Sequence, residues 1–315
     1  MKYGFGVDVG GTAVKMGLFD RDGSLLQKWE IATRIDGTGS GILPDIAAQL
    51  CACMEAHGLT REQILGVGIG VPGPVSDAGV VNRCVNLNWG VFNLHDRLRE
   101  LTGLRIKGGN DANVAALGEY YCGGGSGCRS MVLMTLGTGI GGGIVLDGKI
   151  LDGAHGSGGE IGHIVVNPAE TQSCSCGKYG CIEQYGSATG VVRTAKRLLA
   201  ECAAPSVLRD LGEFTCKDVF DSVAAGDELA AQTLEITFDL LGLALANACC
   251  VCDPERIVIG GGVSAAGQVL LDGVAQAFER HKFHACAGTQ FALASLGNDA
   301  GIYGAFYLAR ETFRA

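Results

Sequence analysis

The chain has 315 residues, 47% of them hydrophobic, and its 24 Lys and Arg stand against 33 Asp and Glu for a formal net charge of −9. This length suits two domains with apolar cores, and the excess of acid without a basic stripe argues against nucleic acid as a partner. The N-terminal residues lack a signal-peptide pattern, and the longest apolar run, at 240–252, is shorter than the roughly 18 to 20 residues that span a bilayer. We therefore expect a cytoplasmic protein with no membrane partner, whose 14 cysteines are reduced.

The first predicted element is a β-hairpin in residues 3–23, where two apolar runs flank a glycine turn that begins at Gly10. The same plan returns 127 positions later, with Gly137 in place of Gly10. Plain hairpin turns need glycine, but two such turns can also offer backbone N–H groups to a polyphosphate. The repeat favours phosphate binding by Gly10, Gly11, Thr12, Lys15, Gly137, Thr138 and Gly139, with Asp8 as a direct or water-mediated contact for Mg²⁺.

Residues 104–122 predict a short strand and then a helix that opens at Asn110 and Asp111. Asp111 can be read as a helix N-cap, for which Asn and Asp are favoured. It can equally be a general base for phosphoryl transfer, because a helix N-terminus favours the ionised carboxylate. Both interpretations hold if Asn110 is the cap.

The second hairpin contains the spacing of a dinucleotide-binding motif at Gly137, Gly139 and Gly142. That motif requires a helix directly after the glycines, whereas a β-rich stretch with turns follows here. The sequence therefore disfavours a Rossmann fold.

A cluster of soft metal ligands follows. Cys174, Cys176 and Cys181 lie within eight positions of a Ser- and Gly-rich loop, and His163 lies upstream. Three thiolates and one imidazole satisfy a tetrahedral, structural Zn²⁺; the alternative is three free thiols in a loop.

Acidic residues border the same loop. A zinc ion would order Glu160, His163 and Glu183, whose carboxylates and imidazole are suited to the vicinal hydroxyls of a sugar. Ordinary solvent exposure is the alternative for the two acids.

The last predicted motif is a strand at 256–259, followed by Gly260, Gly261 and Gly262 and by a helix that ends near residue 281. A helix entered through glycines suits the ribose and base of a nucleotide. A tight connection between strand and helix would need the same residues.

Taken in order, these motifs resemble those of the ROK family of sugar kinases, and most closely its bacterial glucokinases. The matching segments are D-V-G-G-T-A-V-K, N-D-A-N-V-A-A-L-G-E, L-G-T-G-I-G-G-G-I, G-E-I-G-H, C-S-C-G-K-Y-G-C-I-E, I-V-I-G-G-G-V and N-D-A-G-I-Y-G-A. They cover nearly the whole chain, and the cysteine segment is the most specific of them.

The resemblance implies an α/β protein with the actin-like ATPase (ribonuclease H-like) fold, in which two domains flank a cleft. We place the smaller domain at 1–110 and 302–315 and the larger one at 111–301. The resemblance also implies ATP, Mg²⁺ and structural Zn²⁺ as cofactors and a homodimer or homotetramer as the assembly.

For the reaction, the resemblance implies a glucokinase in which Asp111 takes the proton from the 6-hydroxyl of glucose. Its sugar ligands would be Gly73, Asn110, Asp111, Glu160, His163 and Glu183, and its zinc ligands His163, Cys174, Cys176 and Cys181. N-acetylmannosamine, fructose or allose is the alternative substrate, and ADP or polyphosphate the alternative phosphoryl donor.

Two other classes of protein are weighed against the kinase. Some relatives of the family are repressors with a helix-turn-helix before the first phosphate motif, but only seven residues precede Asp8 here. A sugar-binding module without catalysis would not need Asp111.

Overall fold

The computed structural model describes residues 2–314, which form an α/β protein. Its strands are β1 (Tyr3–Val9), β2 (Ala13–Asp20), β3 (Leu25–Ala32), β4 (Ile64–Val71), β5 (Val80–Val81), β6 (Phe92–Asn93), β7 (Ile106–Asn110), β8 (Ser130–Leu136), β9 (Ile140–Leu146), β10 (Lys149–Ile150), β11 (Arg256–Gly260) and β12 (Gln290–Leu293). Its helices are α1 (Ile42–Ala56), α2 (Leu94–Thr102), α3 (Asp111–Cys122), α4 (Glu183–Gly186), α5 (Ala188–Glu201), α6 (Leu208–Leu211), α7 (Cys216–Ala224), α8 (Glu228–Cys252), α9 (Gln268–His281) and α10 (Ala300–Phe313).

Residue contacts divide the chain into two compact units. The first unit comprises Met1–Gly127, Gly148–Gly158 and Leu296–Ala315, and the second comprises Cys128–Asp147 and Gly159–Ser295. This division differs from the expected boundaries after residue 110 and before residue 302, because it assigns α3, Gly148–Gly158 and the start of α10 to the first unit.

Glycines explain why α3 belongs with the first unit. A Cβ added at Gly304 of α10 would lie 1.7 Å from the carbonyl oxygen of Val114, and one added at Gly118 of α3 would lie 2.2 Å from that of Ala300. The backbones of α3 and α10 therefore touch, and the two helices pack as one layer.

The first unit is built on a sheet with the strand order β3-β2-β1-β4-β7. Strands β1, β2 and β3 are antiparallel neighbours, whereas β4 is parallel to β1 and β7 to β4. Apolar side chains such as Phe5, Val7 and Ile69 are fully buried in its core. The hairpin predicted in residues 3–23 is present as β1 and β2.

The second unit repeats this plan. Strands β8 and β9 form an antiparallel hairpin, β11 is parallel to β8, and β12 is parallel to β11. The core contains Met134 and Leu136 of β8 together with Leu241 and Leu245 of α8. The repeat read from the glycine turns is thus a repeat of hairpins, each with a parallel strand beside its first strand.

Helix α8 is longer than the apolar run at 240–252, which we compared with the length needed to span a bilayer. That run is the second half of a 25-residue helix that is long and apolar enough to cross a membrane by length and composition alone. The core helix of a soluble protein passes the same test, and Leu241, Ala244 and Leu245 of α8 are fully buried against the second unit's other helices and strands.

Candidate active site

Asp8 lies near the end of β1, opposite Lys15 of β2 in the strand register. Burial and, second, the charge of Asp111 raise the pKa of Asp8 to about 6, while Lys15 acts in the opposite direction. A Cβ added at Gly301, at the start of α10, would lie 2.5 Å from Asp8 Oδ2, so the carboxylate rests against that helix end. The half-buried carboxylate of Asp8, within the electrostatic reach of Asp111, is an oxygen donor of the kind that binds a divalent cation such as Mg²⁺.

The first glycine turn joins β1 to β2. The Gly10 N–H donates to the carbonyl oxygen of Ala13 at 3.0 Å and thereby closes the turn. Gly11 and Thr12 at the tip are exposed, and a Cβ added at Gly11 would meet nothing within 4 Å. Lys15 Nζ donates to the carbonyl oxygen of Asn298 at 3.3 Å. The exposed tip, rather than Gly10, is the part of this turn that a phosphate can approach.

Asn110 and Asp111 lie at the junction of β7 and α3, as predicted. Asn110 is the N-cap: its Oδ1 accepts from the backbone N–H of Ala112 at 3.0 Å and of Asn113 at 3.2 Å. Asp111 is the first helical residue, and its Oδ1 accepts from the Ala112 N–H at 2.8 Å. This hydrogen bond fixes the Asp111 carboxylate at the N-terminus of α3.

Gly73 lies beside this junction. The Asn110 side-chain amide donates to the carbonyl oxygen of Gly73 at 3.4 Å. Gly73 has a φ of +137°, which favours glycine over a residue with a side chain. Of the predicted sugar ligands, the structure thus brings Gly73, Asn110 and Asp111 together in the first unit.

Asn113, in the first turn of α3, is a candidate that sequence reasoning missed. Its side chain is 2% exposed, its amide donates to the carbonyl oxygen of Gly158 at 3.4 Å, and its Oδ1 has no hydrogen-bond partner among the described residues. A buried acceptor without a partner costs about 1 to 3 kcal/mol, so a water or ligand hydroxyl is the expected partner. In the sequence, the second Asn of N-D-A-N could have indicated this position, because it lies next to the predicted catalytic residues.

The second glycine turn is tied to Glu183. The Gly137 N–H donates to the carbonyl oxygen of Gly139 at 2.9 Å. Glu183 Oε2 accepts from the N–H of Ile140 at 3.0 Å, and its Oε1 accepts from the Ser175 hydroxyl at 3.0 Å. Each carboxylate oxygen of this predicted sugar ligand therefore already accepts a hydrogen bond from the protein, one from the turn and one from the cysteine loop.

A Cβ at position 139 would lie 2.4 Å from Glu183 Oε2, so a larger residue there would displace the Glu183 carboxylate. The neighbouring residue is held as well, since the Thr189 hydroxyl donates to the carbonyl oxygen of Thr138 at 2.8 Å. The second turn is thus fixed by two side chains outside the hairpin, a restraint that its glycine pattern does not reveal.

The four predicted zinc ligands converge. One ligand atom from each of His163, Cys174, Cys176 and Cys181 lies within 4.8 Å of all the others. Cys176 Sγ lies 3.7 Å from Cys181 Sγ, and Cys174 Sγ lies 3.8 Å from His163 Nδ1. Thiolates at about 2.3 Å from a tetrahedral Zn²⁺ would be about 3.8 Å apart, so this donor set fits the ion.

The local chain geometry explains that convergence. The Cys174 N–H donates to the carbonyl oxygen of Lys178 at 2.7 Å, which folds the loop back on itself. Burial, followed by hydrogen bonds with the thiols of Cys176 and Cys174, raises the pKa of Cys181 to about 12. Thiols crowded in this way are stabilised as thiolates by a bound cation.

Glu160 and His163 lie on one short turn. Glu160 precedes the 3₁₀ turn Ile161–His163, and the His163 N–H donates to its carbonyl oxygen at 3.1 Å. The Glu160 side chain is exposed. Because His163 directs Nδ1 at the cysteines, Nε2 is the ring nitrogen that remains for a second ligand.

The second unit also contains a cavity of about 580 Å³. Its wall is formed by Gly137, Thr138, Ala188, Thr215, Cys216, Lys217, Phe220, Asp221, Gly262, Val263, Ala265 and Ala266. Of the third predicted glycine cluster only Gly262 contributes: a Cβ added at Gly260 would lie 2.9 Å from Ala294 Cβ, and one at Gly261 2.5 Å from the Leu136 carbonyl oxygen. The start of α7, which no motif marked, supplies five of the wall residues from Thr215 to Asp221.

Known proteins resemble the chain over nearly its full length. A glucokinase from Halalkalibacterium halodurans is 43% identical over 311 residues, which cover 97% of this chain and 94% of the relative. The crystal structure of a ROK hexokinase from Thermus thermophilus has a TM-score of 0.83 at 31% identity and 98% coverage of both chains. That of a ROK family glucokinase from Streptomyces griseus, in complex with glucose and AMPPNP, has a TM-score of 0.73 at 34% identity, covering 98% of this chain and 99% of the other.

These neighbours confirm the actin-like ATPase fold expected from the motifs. The family model described as ROK family matches residues 4–312, so that the chain belongs to the ROK family.

Proposed function

We propose that this protein is an ATP-dependent glucokinase that phosphorylates the 6-hydroxyl of glucose. The observation that carries the proposal is the position of Asp111, which begins α3 beside its cap Asn110 and interacts electrostatically with Asp8 at the end of β1. A carboxylate fixed at a helix N-terminus is suited to accept a hydroxyl proton during phosphoryl transfer. The glucokinase from H. halodurans and the glucose- and AMPPNP-bound glucokinase from S. griseus support the substrate and the donor.

In this proposal Asp111 accepts the proton from the 6-hydroxyl as that oxygen attacks the γ-phosphate. The proposed sugar ligands are Gly73, Asn110, Glu160, His163 and Glu183. Glu183 is assigned with one condition: its carboxylate has to share or exchange the hydrogen bonds from Ser175 and Ile140 when a sugar hydroxyl binds.

The proposed phosphate ligands are Gly11, Thr12, Lys15, Thr138 and Gly139. Asp8 would hold Mg²⁺ directly or through water, and the ion when bound supplies charge neutralisation on the phosphates. Gly10, Gly137, Gly260 and Gly261 are proposed to shape the binding segments, and Gly262 to contact the nucleotide.

Zinc is proposed as a structural ion held by His163, Cys174, Cys176 and Cys181, because four protein ligands leave no open position for catalysis. A homodimer or homotetramer in the cytoplasm remains our prediction for the assembly and its location. Light scattering of the purified protein would test the assembly.

The first test is a coupled assay of the purified protein with Mg-ATP and glucose, mannose, N-acetylmannosamine, fructose and allose. We expect sugar-dependent formation of ADP with the highest kcat/KM for glucose. A clear preference for another hexose would contradict the substrate and retain the kinase. No turnover with any sugar, in a folded protein and with polyphosphate and ADP also tried, would favour a sugar-binding module.

A further inference from the structure

The cavity of about 580 Å³ in the second unit has the volume of a ligand pocket, for which roughly 300 to 1,000 Å³ is usual. Its wall includes Gly137 and Thr138 of the second glycine turn. A nucleotide whose phosphates contact that turn would therefore extend its ribose and base into the cavity. This assignment of the cavity rests on the proposed function.

Most of the cavity wall is apolar. The apolar residues Ala188, Cys216, Phe220, Val263, Ala265 and Ala266 line it. Phe220 also contacts Phe238, with 6.3 Å between the ring centroids, which limits its freedom to move. Packing against such side chains depends on the area of a base and not on which donors and acceptors its edge carries.

The polar side chains at the start of α7 are already engaged. The Thr215 hydroxyl donates to Asp218 Oδ2 at 2.7 Å and accepts from the Asp218 N–H at 3.3 Å, as part of the helix cap. Lys217 and Asp221 pair with each other, and their side chains are 81% and 59% exposed. Water competes for groups this exposed, and the thiol of Cys216 is only a weak donor. Among the described side chains of this wall, none offers a buried, unengaged oxygen or nitrogen to the edge of a base.

We infer that the enzyme recognises its donor through the phosphates and through apolar packing of the base, and that it discriminates weakly between purine bases. A pocket that selects by shape and apolar contact reaches factors of about 10 to 200 between similar ligands. A pocket built to hydrogen-bond a ligand group rejects the analogue that lacks it by about 10⁴ to 10⁵. The wall described here belongs to the first kind.

The test compares kcat/KM for ATP, ITP and GTP at saturating glucose. ITP differs from ATP mainly at position 6 of the purine. The comparison of the two therefore tests whether the pocket forms hydrogen bonds with that edge of the base. We expect all three values to lie within about 100-fold of one another, the range of shape-selective pockets. A preference for ATP over both ITP and GTP by more than that would overturn the inference and indicate backbone groups that read the base.

Two variants sharpen the comparison. Phe220→Ala should raise KM for all three nucleotides by a similar factor and leave KM for glucose unchanged. No change in any nucleotide KM would show that the base does not bind in this cavity.

Asp221→Asn should leave the ratio of kcat/KM for ATP to kcat/KM for ITP unchanged. A change in this ratio of more than about 10-fold, the scale of a single lost methylene contact, would show that Asp221 contacts the base.

An equilibrium measurement separates this inference from the proposed function. ADP, IDP and GDP are used to displace N-methylanthraniloyl-ADP from the protein, and fluorescence anisotropy reports the displacement without turnover. Comparable displacement by all three supports weak base selectivity even if no sugar is phosphorylated. Displacement by ADP alone overturns it even if glucose is a good substrate.

Discussion

Asp111 is the residue on which the proposed reaction depends. Asp111→Asn keeps the size of the side chain and an oxygen that can accept from the Ala112 N–H, the bond that Asp111 Oδ1 makes at 2.8 Å. It removes the proton acceptor, and general bases typically contribute about 10² to 10⁴ in rate. We expect kcat to fall by that factor while the glucose dissociation constant, measured by calorimetry, changes little. Turnover within a few-fold of the parent would remove Asp111 from the mechanism.

The raised pKa of Asp8 gives a second prediction, about stability. An aspartate whose pKa is about 6 in the folded chain and 3.8 in the unfolded chain binds its proton more tightly when folded. It therefore stabilises the fold below pH 3.8, and this stabilisation is lost as pH rises through about 6. Asp8→Asn, which cannot ionise, should raise the free energy of unfolding at pH 8 by up to about 3 kcal/mol, with no gain near pH 4.

Chemical denaturation of the Mg²⁺-free protein across this pH range would measure the effect. The exposed Asp22→Asn is the matched control, and we expect no comparable change there. The same Asp8 variant should lose activity, because it removes the carboxylate that is proposed to hold Mg²⁺. Equal pH dependence of the parent and the Asp8 variant would contradict the prediction.

At the scale of elements, the sequence predicted what local chemistry determines. The two hairpins, the opening of α3 at Asn110 and Asp111, and the folded loop of Cys174 to Cys181 all follow from turn residues, caps and ligand spacing within short segments. The parts that sequence reasoning missed depend on residues distant in the chain. Glu183 receives the N–H of Ile140, 43 residues away, and α3 packs on α10, which begins at Ala300. No periodicity or spacing encodes such contacts.

The contact between α3 and α10 gives a prediction in which two effects oppose each other. Replacing a glycine inside a helix by alanine ordinarily stabilises it by about 1 kcal/mol. At Gly304 the new Cβ would lie 1.7 Å from the Val114 carbonyl oxygen and 2.8 Å from the Gly118 nitrogen, and neither backbone atom can rotate away. Overpacking of this kind costs about 1 to 3 kcal/mol or more. We therefore expect Gly304→Ala to be destabilising.

Because Asp111 begins the helix that must move, kcat should fall along with the melting temperature of this variant. Gly288→Ala is the control, since an added Cβ there meets nothing within 4 Å. A Gly304→Ala protein as stable and active as the control would show that the two helices are not in the close contact described.

At the scale of the whole molecule, the two compact units have separate hydrophobic cores, and all four proposed zinc ligands lie in the second. Loss of zinc should therefore weaken one unit selectively. Cys176 is exposed, so Cys176→Ser removes a ligand without leaving a cavity. We expect zinc below one equivalent per chain and a lower melting temperature, because metal binding contributes directly to folding free energy.

Hydrogen exchange would locate the effect. Protection should fall in the residues around His163 and Cys174 and in strand β9, which Glu183 connects to the cysteine loop, whereas β1, β2 and β4 of the first unit should exchange as before. Cys51→Ser, at an exposed thiol of α1 in the first unit, is the control and should retain both zinc and protection. If Cys176→Ser kept one equivalent of zinc, the ligand assignment would be wrong. If exchange increased equally in both units, the metal would stabilise the whole chain rather than the second unit alone.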